Sequence, residues 1–482
     1  MLYKQGEISI DSIFNFVLIN RIVLTGAANN HTKVVIRGII DNSGRHDILY
    51  KSLADEKIYI DFLDGKRIFG GILRDVRITE QAELVTIDLT CVGGSYLMDI
   101  APQKRSYQDV DASYHAVLRS ACSSVEDSSV ISCKGNDIKT LTPIFQYNET
   151  LWGLTCRLAG HLKTVIFPND LIPFPQVLVG IPERRAIPIP SDAKYTIGRN
   201  ERGSIYCVYR TSDHLSLGDT VHFLNLELVV MEKLSVYENN AFDNTYILGD
   251  ELGFSIKRYN LPLSGLALKG TVLDTKGEML KVHLDIDAEQ EVSKACWFHF
   301  APQGGNVMHT MPQHGTKVML RFNTDSDDSA MATECYRENG STCKELSDYN
   351  YRYYTTEYKK RMAMFPDKVF FAGGSNVAEL NDATGIGIKT GRKTHIEAGG
   401  PLELHAKRKL TIHTPAHIYM TKPNTDSVID LAGNEINIDS SNTRVRPTMK
   451  GQLRPYPYRS NAKPFKVSKK LAFMALGFVP KR

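Results

Sequence analysis

The sequence predicts a mainly β, multidomain chain with two β-barrels and a helical insertion, then an OB-fold barrel, then a trimeric intertwined β-helix or prism. Three observations predict this class. Short runs that alternate apolar and polar residues recur along most of the chain, helical spacing is confined to two segments, and apolar doublets repeat every eight residues near the end. Alternation with a period of two is typical of strands with one buried face, because successive side chains point to opposite sides.

Composition limits the possible functions. A length of 482 residues allows roughly two to four domains. The 58 Lys and Arg exceed the 54 Asp and Glu by only four, which argues against a chain-wide affinity for nucleic acid or anionic membrane. The eight cysteines form no C-x-x-C pair and are interpreted as reduced thiols. No signal peptide is recognisable and no apolar run reaches roughly 18 residues, so we expect a soluble protein made in the cytoplasm.

Residues 1–105 predict the first barrel. Strand patterns cover Lys33–Ile40, Lys57–Leu63 and Leu84–Thr90, and Asp64 begins an Asp-Gly turn signal after the second of them. Short alternating strands joined by tight turns close most easily into a small barrel.

Residues 106–188 predict a helical insertion. Helical spacing is found at Ala112–Ala121 and again from Leu151 to Leu158, where Asn148 and Thr150 are candidate N-caps. Strand patterning then returns, which separates this insertion from a second barrel downstream.

Residues 189–258 predict the second barrel, with the strongest strand pattern at Thr220–Met231. Residues 259–342 predict a small five-stranded barrel of the OB type, because several short strands fall within about 80 residues. The strand patterns of this barrel are Leu268–Asp274, Leu280–Ile286, Cys296–Phe300 and Thr316–Phe322.

Two segments, one before and one after residues 381–446, are interpreted from their composition. Residues 343–380 are interpreted as a Tyr-rich connector without a clear apolar face. Residues 447–482 form a basic tail with nine Lys or Arg and no Asp or Glu. Three interpretations of this tail stay open: a disordered end, a membrane-active segment, and a docking strip for a tip cap or cargo.

Apolar doublets define the segment between them, residues 381–446. From Gly385 to Met420 apolar residues recur two apart, and five successive doublets follow one another at a spacing of eight. Each unit predicts a strand of about six residues with one buried face and a short corner. The predicted trimer core consists of Ile386, Ile388, Ile396, Leu402, Leu404, Leu410, Ile412, Ile418, Ile429, Leu431, Ile436 and Ile438.

An eight-residue unit is too short to close a solenoid coil within one chain, since a three-sided coil needs roughly 18 residues or more. Three chains wound around one axis supply about 24 residues per level, which buries the apolar side chains and pairs the strand edges. We therefore expect a homotrimer. An antiparallel meander is the alternative interpretation, and the constant spacing favours the trimer over it.

The order of these elements resembles the hub and spike proteins of contractile phage tails and the VgrG proteins of type VI secretion. Phe145–Ala159 is similar to the hub-family helix, in which a polar, Glu-containing cap precedes an aromatic residue and an Arg-Leu-Ala turn. Lys269–Asp274 and Met311–Phe322 are similar to the family's OB barrel, and the octads to its spike. Two features depart from the family: only Gly387 and Gly391 supply glycines in the first octad, and the basic tail has no counterpart.

The resemblance implies a structural hub and envelope-puncturing spike that acts as a homotrimer at the baseplate centre and tube tip, without enzymatic activity or cofactor. Implied partners are further copies of the chain, tail tube and baseplate proteins, a tip cap or cargo effector, and transiently the target envelope, with no nucleic acid. The protein would be assembled in the cytoplasm as part of a phage tail or injection particle and delivered to the target cell surface on contraction. The sequence does not distinguish phage, bacteriocin and secretion-system contexts.

Two other functions stay open, a spike-linked peptidoglycan hydrolase and a host-glycan-binding trimeric fibre. A hydrolase needs two carboxylates fixed in a cleft. The carboxylates of the connector lie in a stretch without an evident core, which predicts a solvating role; they are Glu345, Asp348 and Glu357.

Other chemical motifs are weak. Gly387–Thr394 imitates a phosphate-binding loop, but Arg392 replaces its second glycine and no helix pattern follows. The Gly-Gly-Ser triplets that end at Ser95 and Ser375 lack the nucleophile-elbow pattern and are interpreted as turns. Four histidines alternate with the apolar doublets and are predicted to face solvent rather than bind a metal; they are His395, His405, His413 and His417.

Overall fold

The computed structural model divides the chain into two compact units, Met1–Lys344 and Glu345–Arg482. Strands dominate both units, which confirms the predicted mainly β, multidomain fold class. The described residues are 2–5, 7–42, 53, 56–81, 84–184, 186–190, 193–223, 225–301, 310–339, 341–421, 424, 428–432, 435–439, 444–447 and 478–481.

The first unit contains 23 of the described strands and three short helices. The strands are β1 (Leu2–Gln5), β2 (Ile8–Asp11), β3 (Phe16–Ala27), β4 (Lys33–Ile40), β5 (Lys57–Phe62), β6 (Arg67–Gln81), β7 (Leu84–Gly93), β8 (Gln103–Tyr107), β9 (Ser129–Ser132), β10 (Ile144–Glu149), β11 (Ile166–Pro168), β12 (Gln176–Val179), β13 (Ile187–Pro188), β14 (Lys194–Arg199), β15 (Ile205–Thr211), β16 (Thr220–Phe223), β17 (Leu226–Glu238), β18 (Ala241–Gly249), β19 (Ala267–Lys276), β20 (Met279–Leu284), β21 (Trp297–His299), β22 (Lys317–Phe322) and β23 (Ala330–Tyr336). The helices are α1 (Tyr114–Cys122), α2 (Leu151–His161) and α3 (Glu251–Phe254).

The two predicted barrel regions are joined by hydrogen bonds into one sheet, which contains 13 of the described strands. Its order is β1-β2-β5-β6-β7-β4-β3-β17-β18-β15-β14, with β16 paired to β17 and β13 to β16. The junction is the antiparallel pair of β3 and β17, in which Val23 lies opposite Val236. Each half keeps its own hydrophobic core, one around Ile36 and Leu89 and the other around Met231.

The insertion between the halves contains the two predicted helices. Ser113 caps α1 by accepting a hydrogen bond from the Ala116 backbone, and Thr150 caps α2 by accepting one from Gly153. Of the two candidate caps for α2, Thr150 is therefore the N-cap, whereas Asn148 lies in β10, at the bulge between Tyr147 and Glu149, with a φ of 49°. Two small sheets, β8 with β10 and β11-β12-β9, complete the insertion.

The predicted OB-type barrel is confirmed as the five-stranded sheet β21-β20-β19-β22-β23. A parallel bridge between Phe300 and Ala332 joins the ends of the sheet, and the Ala301 backbone donates to the Ala332 carbonyl at 2.9 Å. Closure buries alternate residues of β19, β20 and β22 around Phe298 and Phe322.

The second unit contains two antiparallel meanders. The first is five-stranded, and the second has three of the described strands. All of its strands, including a terminal pair, are β24 (Arg352–Thr355), β25 (Lys360–Phe365), β26 (Lys368–Gly373), β27 (Asn376–Asn381), β28 (Gly385–Lys389), β29 (His417–Thr421), β30 (Val428–Ala432), β31 (Glu435–Asp439), β32 (Arg444–Pro447) and β33 (Phe478–Lys481). The segment interpreted as a connector, residues 343–380, thus carries strands. Residues 390–416, all of which are described, contain none.

Two further predictions concern the basic tail and the presence of membrane-spanning segments. The basic tail lies outside the described residues except for its two ends, where Pro447 pairs with Phe478. Within the described ranges, no helix combines the length and the hydropathy that a bilayer span requires.

Acid sensitivity of the first unit should depend on His161, at the end of α2. Burial, reinforced by the charges of Arg157 and Lys257, lowers the pKa of His161 to about 4. The unfolded imidazole titrates near 6.5, so as the pH falls from about 6.5 to about 4 the unfolded state binds the proton first and the free energy of unfolding decreases. The loss is on the order of 3 kcal/mol.

His161→Gln should remove this contribution. We expect the denaturant midpoint of the variant to fall less than that of the wild type between about pH 7 and about pH 4.5. The same fall in both proteins would contradict the assigned role of His161.

Candidate assembly interface

The carboxylates considered for hydrolysis have structural partners. Glu345 forms an ion pair with Arg361 at 2.9 Å, and Asp348 accepts a hydrogen bond from the Asn350 backbone at 2.9 Å in a turn. Glu357 lies in an exposed turn. Glu345 and Asp348 are thus engaged in structural contacts, and no group of three potential metal ligands occurs among the described residues.

A Ser-His-Asp arrangement that sequence reasoning missed lies in the first unit. The Nδ1 atom of His31 is 2.9 Å from the Ser95 hydroxyl, its Nε2 atom is 3.5 Å from Asp99, and its ring stacks on Trp152 with the centroids 3.9 Å apart. Burial lowers the pKa of His31, and the Asp99 carboxylate opposes that shift. Ser95 is completely buried, so a substrate cannot reach its hydroxyl, and the arrangement joins the β3–β4 turn to α2 rather than forming a catalytic site.

A buried ionic cluster connects the insertion to the OB barrel. The Arg157 side chain on α2 is 1% exposed and donates to Glu149 through Nε and Nη2, each at 2.9 Å. Its Nη1 atom donates to Asp327, which precedes β23 of the barrel. The Phe145 carbonyl accepts from Nη2 at 3.0 Å, and Asp327 accepts from the Phe145 backbone N–H at 2.8 Å. All three guanidinium nitrogens are therefore paired, with partners in the insertion and in the barrel.

Burial raises the pKa of both carboxyls in this cluster, Glu149 and Asp327, and the Arg157 charge opposes the shift. Burial of an ion pair is costly, and removing one partner leaves the other charge uncompensated. The cluster thus makes separation of the barrel from the insertion unfavourable.

Apolar and neutral contacts strengthen the same connection. The Phe145 ring enters the core of the OB barrel, where it meets Phe322 edge-on with the centroids 4.7 Å apart. Gln108 donates to the Val282 carbonyl at 3.1 Å, and Asp287 accepts from the Ser106 backbone at 2.7 Å. Insertion and barrel therefore form one block. The sequence identified Phe145–Ala159 by resemblance, but not the partners of Arg157, which lie far along the chain.

The five-stranded meander of the second unit has one apolar face, which we call the doublet face. Directly opposed residues in an antiparallel pair share a face. The ladder aligns Tyr354 with Met362 and continues through three more strands, and a second row runs from Arg352 in the edge strand β24 through Met364 and Val369. The apolar residues of these two rows define the face. The doublet face consists of Tyr354, Met362, Met364, Val369, Phe371, Ala378, Leu380, Ile386 and Ile388.

Among the predicted trimer-core residues, those from Ile386 to Ile412 have largely exposed side chains in the single chain. Ile386 is 78% exposed and Leu404 is 69% exposed, and the intervening residues behave similarly. Ile418, Ile429 and Leu431 are half-buried in the second meander. The exposed members are Ile386, Ile388, Ile396, Leu402, Leu404, Leu410 and Ile412.

The ladder of the second meander aligns the later doublets with each other. Ile418 lies opposite Leu431, which lies opposite Ile436, and Ile429 lies opposite Ile438. The side chains of Ile436 and Ile438 lie outside the described part of the chain. The four histidines are exposed, as are the apolar residues that alternate with them between β28 and β29, since no ladder covers either face there.

Comparisons with known proteins bear on the fold. Neither a protein-family model nor a curated protein matches the chain. One similar solved structure is an E. coli component of the type VI secretion system, described as similar to the T4 bacteriophage tail proteins gp27 and gp5; the match covers 69% of this chain and 100% of that chain, with 10% identity and a TM-score of 0.49.

Two further similar structures are tail proteins. That of Neisseria meningitidis matches 52% of this chain and 98% of its own, with 9% identity and a TM-score of 0.39. A prophage tail protein from Shewanella oneidensis matches 52% of this chain and 99% of its own, with 11% identity and a TM-score of 0.38. The structural neighbours are thus tail proteins of the kind that the sequence resembles. With TM-scores below 0.5, they do not by themselves assign a function.

Asp327→Ala should destabilise the first unit strongly, because it leaves the Arg157 charge buried with one partner fewer. The expected loss is on the order of 3–5 kcal/mol, measured as a lower denaturant midpoint of the full chain. The matched control is Asp88→Ala, which breaks the exposed pair with Arg37 and should leave the midpoint near that of the wild type. Equal shifts in the two variants would contradict the role given to the cluster.

Proposed function

We propose that this chain is the structural hub and spike subunit of a contractile phage tail or tail-like injection system, and that it acts as a homotrimer. The observation that carries the proposal is the exposed apolar series from Ile386 to Ile412. A soluble chain that exposes a long apolar strip and unpaired strand-forming backbone tends to aggregate, so such a strip indicates a partner.

Two further copies of the same chain are the partners that fit the eight-residue repeat. In the single chain the doublets between β28 and β29 have no ladder, although their alternation is typical of strands. A unit of eight residues supplies about one side of a three-sided coil, so three chains close a level that one chain cannot. The same closure pairs the backbone edges and turns the four histidines outward.

The remaining parts of the proposal assign a role to each of the two units of the chain. The first unit satisfies its own cores and would form the hub that contacts tail tube and baseplate proteins. The insertion and the OB barrel, fixed to each other by the Arg157 cluster, would pass axial load to the spike. The spike tip would contact the target envelope transiently and carry a tip cap or cargo. The role is mechanical, with no cofactor and no catalytic step.

The competing functions have direct tests. Clearing of peptidoglycan by the purified chain in zymography would support a spike-linked hydrolase, and selective retention on a glycan array would support a host-binding fibre. The described contacts do not favour the hydrolase, because Glu345 is paired with Arg361 and Ser95 is buried.

The homotrimer has a simple test. Light scattering on the purified full chain should give a mass near three times 54.0 kDa. The double variant with Leu404→Asp and Ile412→Asp should be monomeric, because each charge would be buried without a partner in the trimer core. Circular dichroism and the denaturant midpoint of the first unit should stay close to those of the wild type.

The matched control places the same charges on the neighbouring residues of opposite parity, with His405→Asp and His413→Asp. This variant should stay trimeric, because those positions face solvent. A wild type that is monomeric and soluble would refute the proposal, and so would equal loss of assembly in both double variants.

A further inference from the structure

The first meander has two unlike faces, although the sequence of this segment was interpreted as a connector. The nine positions that define the doublet face are apolar and six of them are exposed, whereas Arg352 lies on the same face in the edge strand β24 and Lys360 lies on it at the start of β25. The six are Tyr354, Met364, Phe371, Leu380, Ile386 and Ile388.

The opposite face is covered by its own chain. Ala363 is 1% exposed there, and the Tyr351 ring, from the segment before β24, meets Phe365 edge-on with centroids 4.9 Å apart. Charged side chains complete this covering: Arg361 lies over the Tyr353 ring at 5.0 Å, and Lys368 forms an ion pair with Glu379. Among the described residues, one side of the sheet is thus covered by its own chain, whereas most of the other side is exposed.

The doublet face runs directly into the octads. Ile386 and Ile388 belong to both, since they pair with Leu380 and Ala378 in the sheet and are also the first doublet of the repeat. Upstream, the doublets that begin at residues 362, 369, 378 and 386 are spaced by seven, nine and eight residues, close to the octad spacing. The apolar series therefore starts before the octads, at β24 and β25.

We propose that the doublet face is the beginning of the same interface between copies of this chain, and that three such sheets pack against one another around the axis ahead of the octads. This inference rests on the proposed homotrimer. A flat apolar face of five strands needs an apolar cover of similar extent, and the same face on two further copies supplies one. The charged opposite face would then be the outer surface.

The test places a photo-crosslinking residue, p-benzoylphenylalanine, at single positions of the full-length chain. At Phe371, on the doublet face, illumination should link chains into covalent dimers and trimers. At Phe370, the neighbouring residue of β26 on the opposite face, the yield of linked chains should be several-fold lower. The masses of the products and of their peptides identify the linked residues, which should include other doublet-face positions.

The outcomes separate this inference from the proposed function. Products linked only within one chain, or equal yields from the two positions, would overturn the inference while a trimeric wild-type mass leaves the homotrimer standing. A monomeric wild type would overturn both. As a second measurement, Phe371→Asp with Leu380→Asp should reduce the trimer fraction, whereas Glu379→Gln on the opposite face should not; a trimer fraction unchanged by the double variant would also count against the inference.

Discussion

The two units differ in whether their strands find hydrogen-bonding and packing partners within the same chain. In the first unit, each half of the large sheet covers its own core, and the pairing of β3 with β17 joins the halves without help from another molecule. In the second unit most of the doublet face is exposed among the described residues, and residues 390–416 have no ladder. Burial of apolar area and pairing of backbone groups are both required for stable β structure, so the proposed assembly would draw its main driving force from the second unit.

The connection between the insertion and the OB barrel is ionic at its centre, although an apolar contact would need no desolvation of charge. Arg157 has to be desolvated, and the pairing with Glu149 and Asp327 offsets that cost without a large net gain. What the cluster adds is a fixed geometry, because a guanidinium donates its hydrogen bonds only in the plane of its fork. Phe145 contributes the apolar half of the same joint inside the barrel. A joint of this kind suits a block that transmits load.

Local patterns predicted local structure well. Alternation located Lys33–Ile40 to the residue, and helical spacing with a capping hydroxyl located α2 and Thr150. Pairings distant in sequence, such as Val23 with Val236 or Arg157 with Asp327, leave no local pattern and could not be foreseen. The connector is a different case. Its doublets were visible, but they are spaced by seven and nine residues, and a search for a strict octad passes over them.

A spacing near eight residues fits both a meander and intertwined chains. The backbone conformation at the turns between strands bears on the choice between them. Tight reversal of an antiparallel strand favours a residue with positive φ. Three of the four reversals in the first meander have one, at Lys359, Gly374 and Gly385, and the next is Asn424, between β29 and β30. No residue with a positive φ occurs over Ile386–Thr421, all of which is described. The corners between the octads therefore lack the positive-φ residue that three of the four reversals in the first meander have, and this difference supports the proposed winding of several chains around one axis.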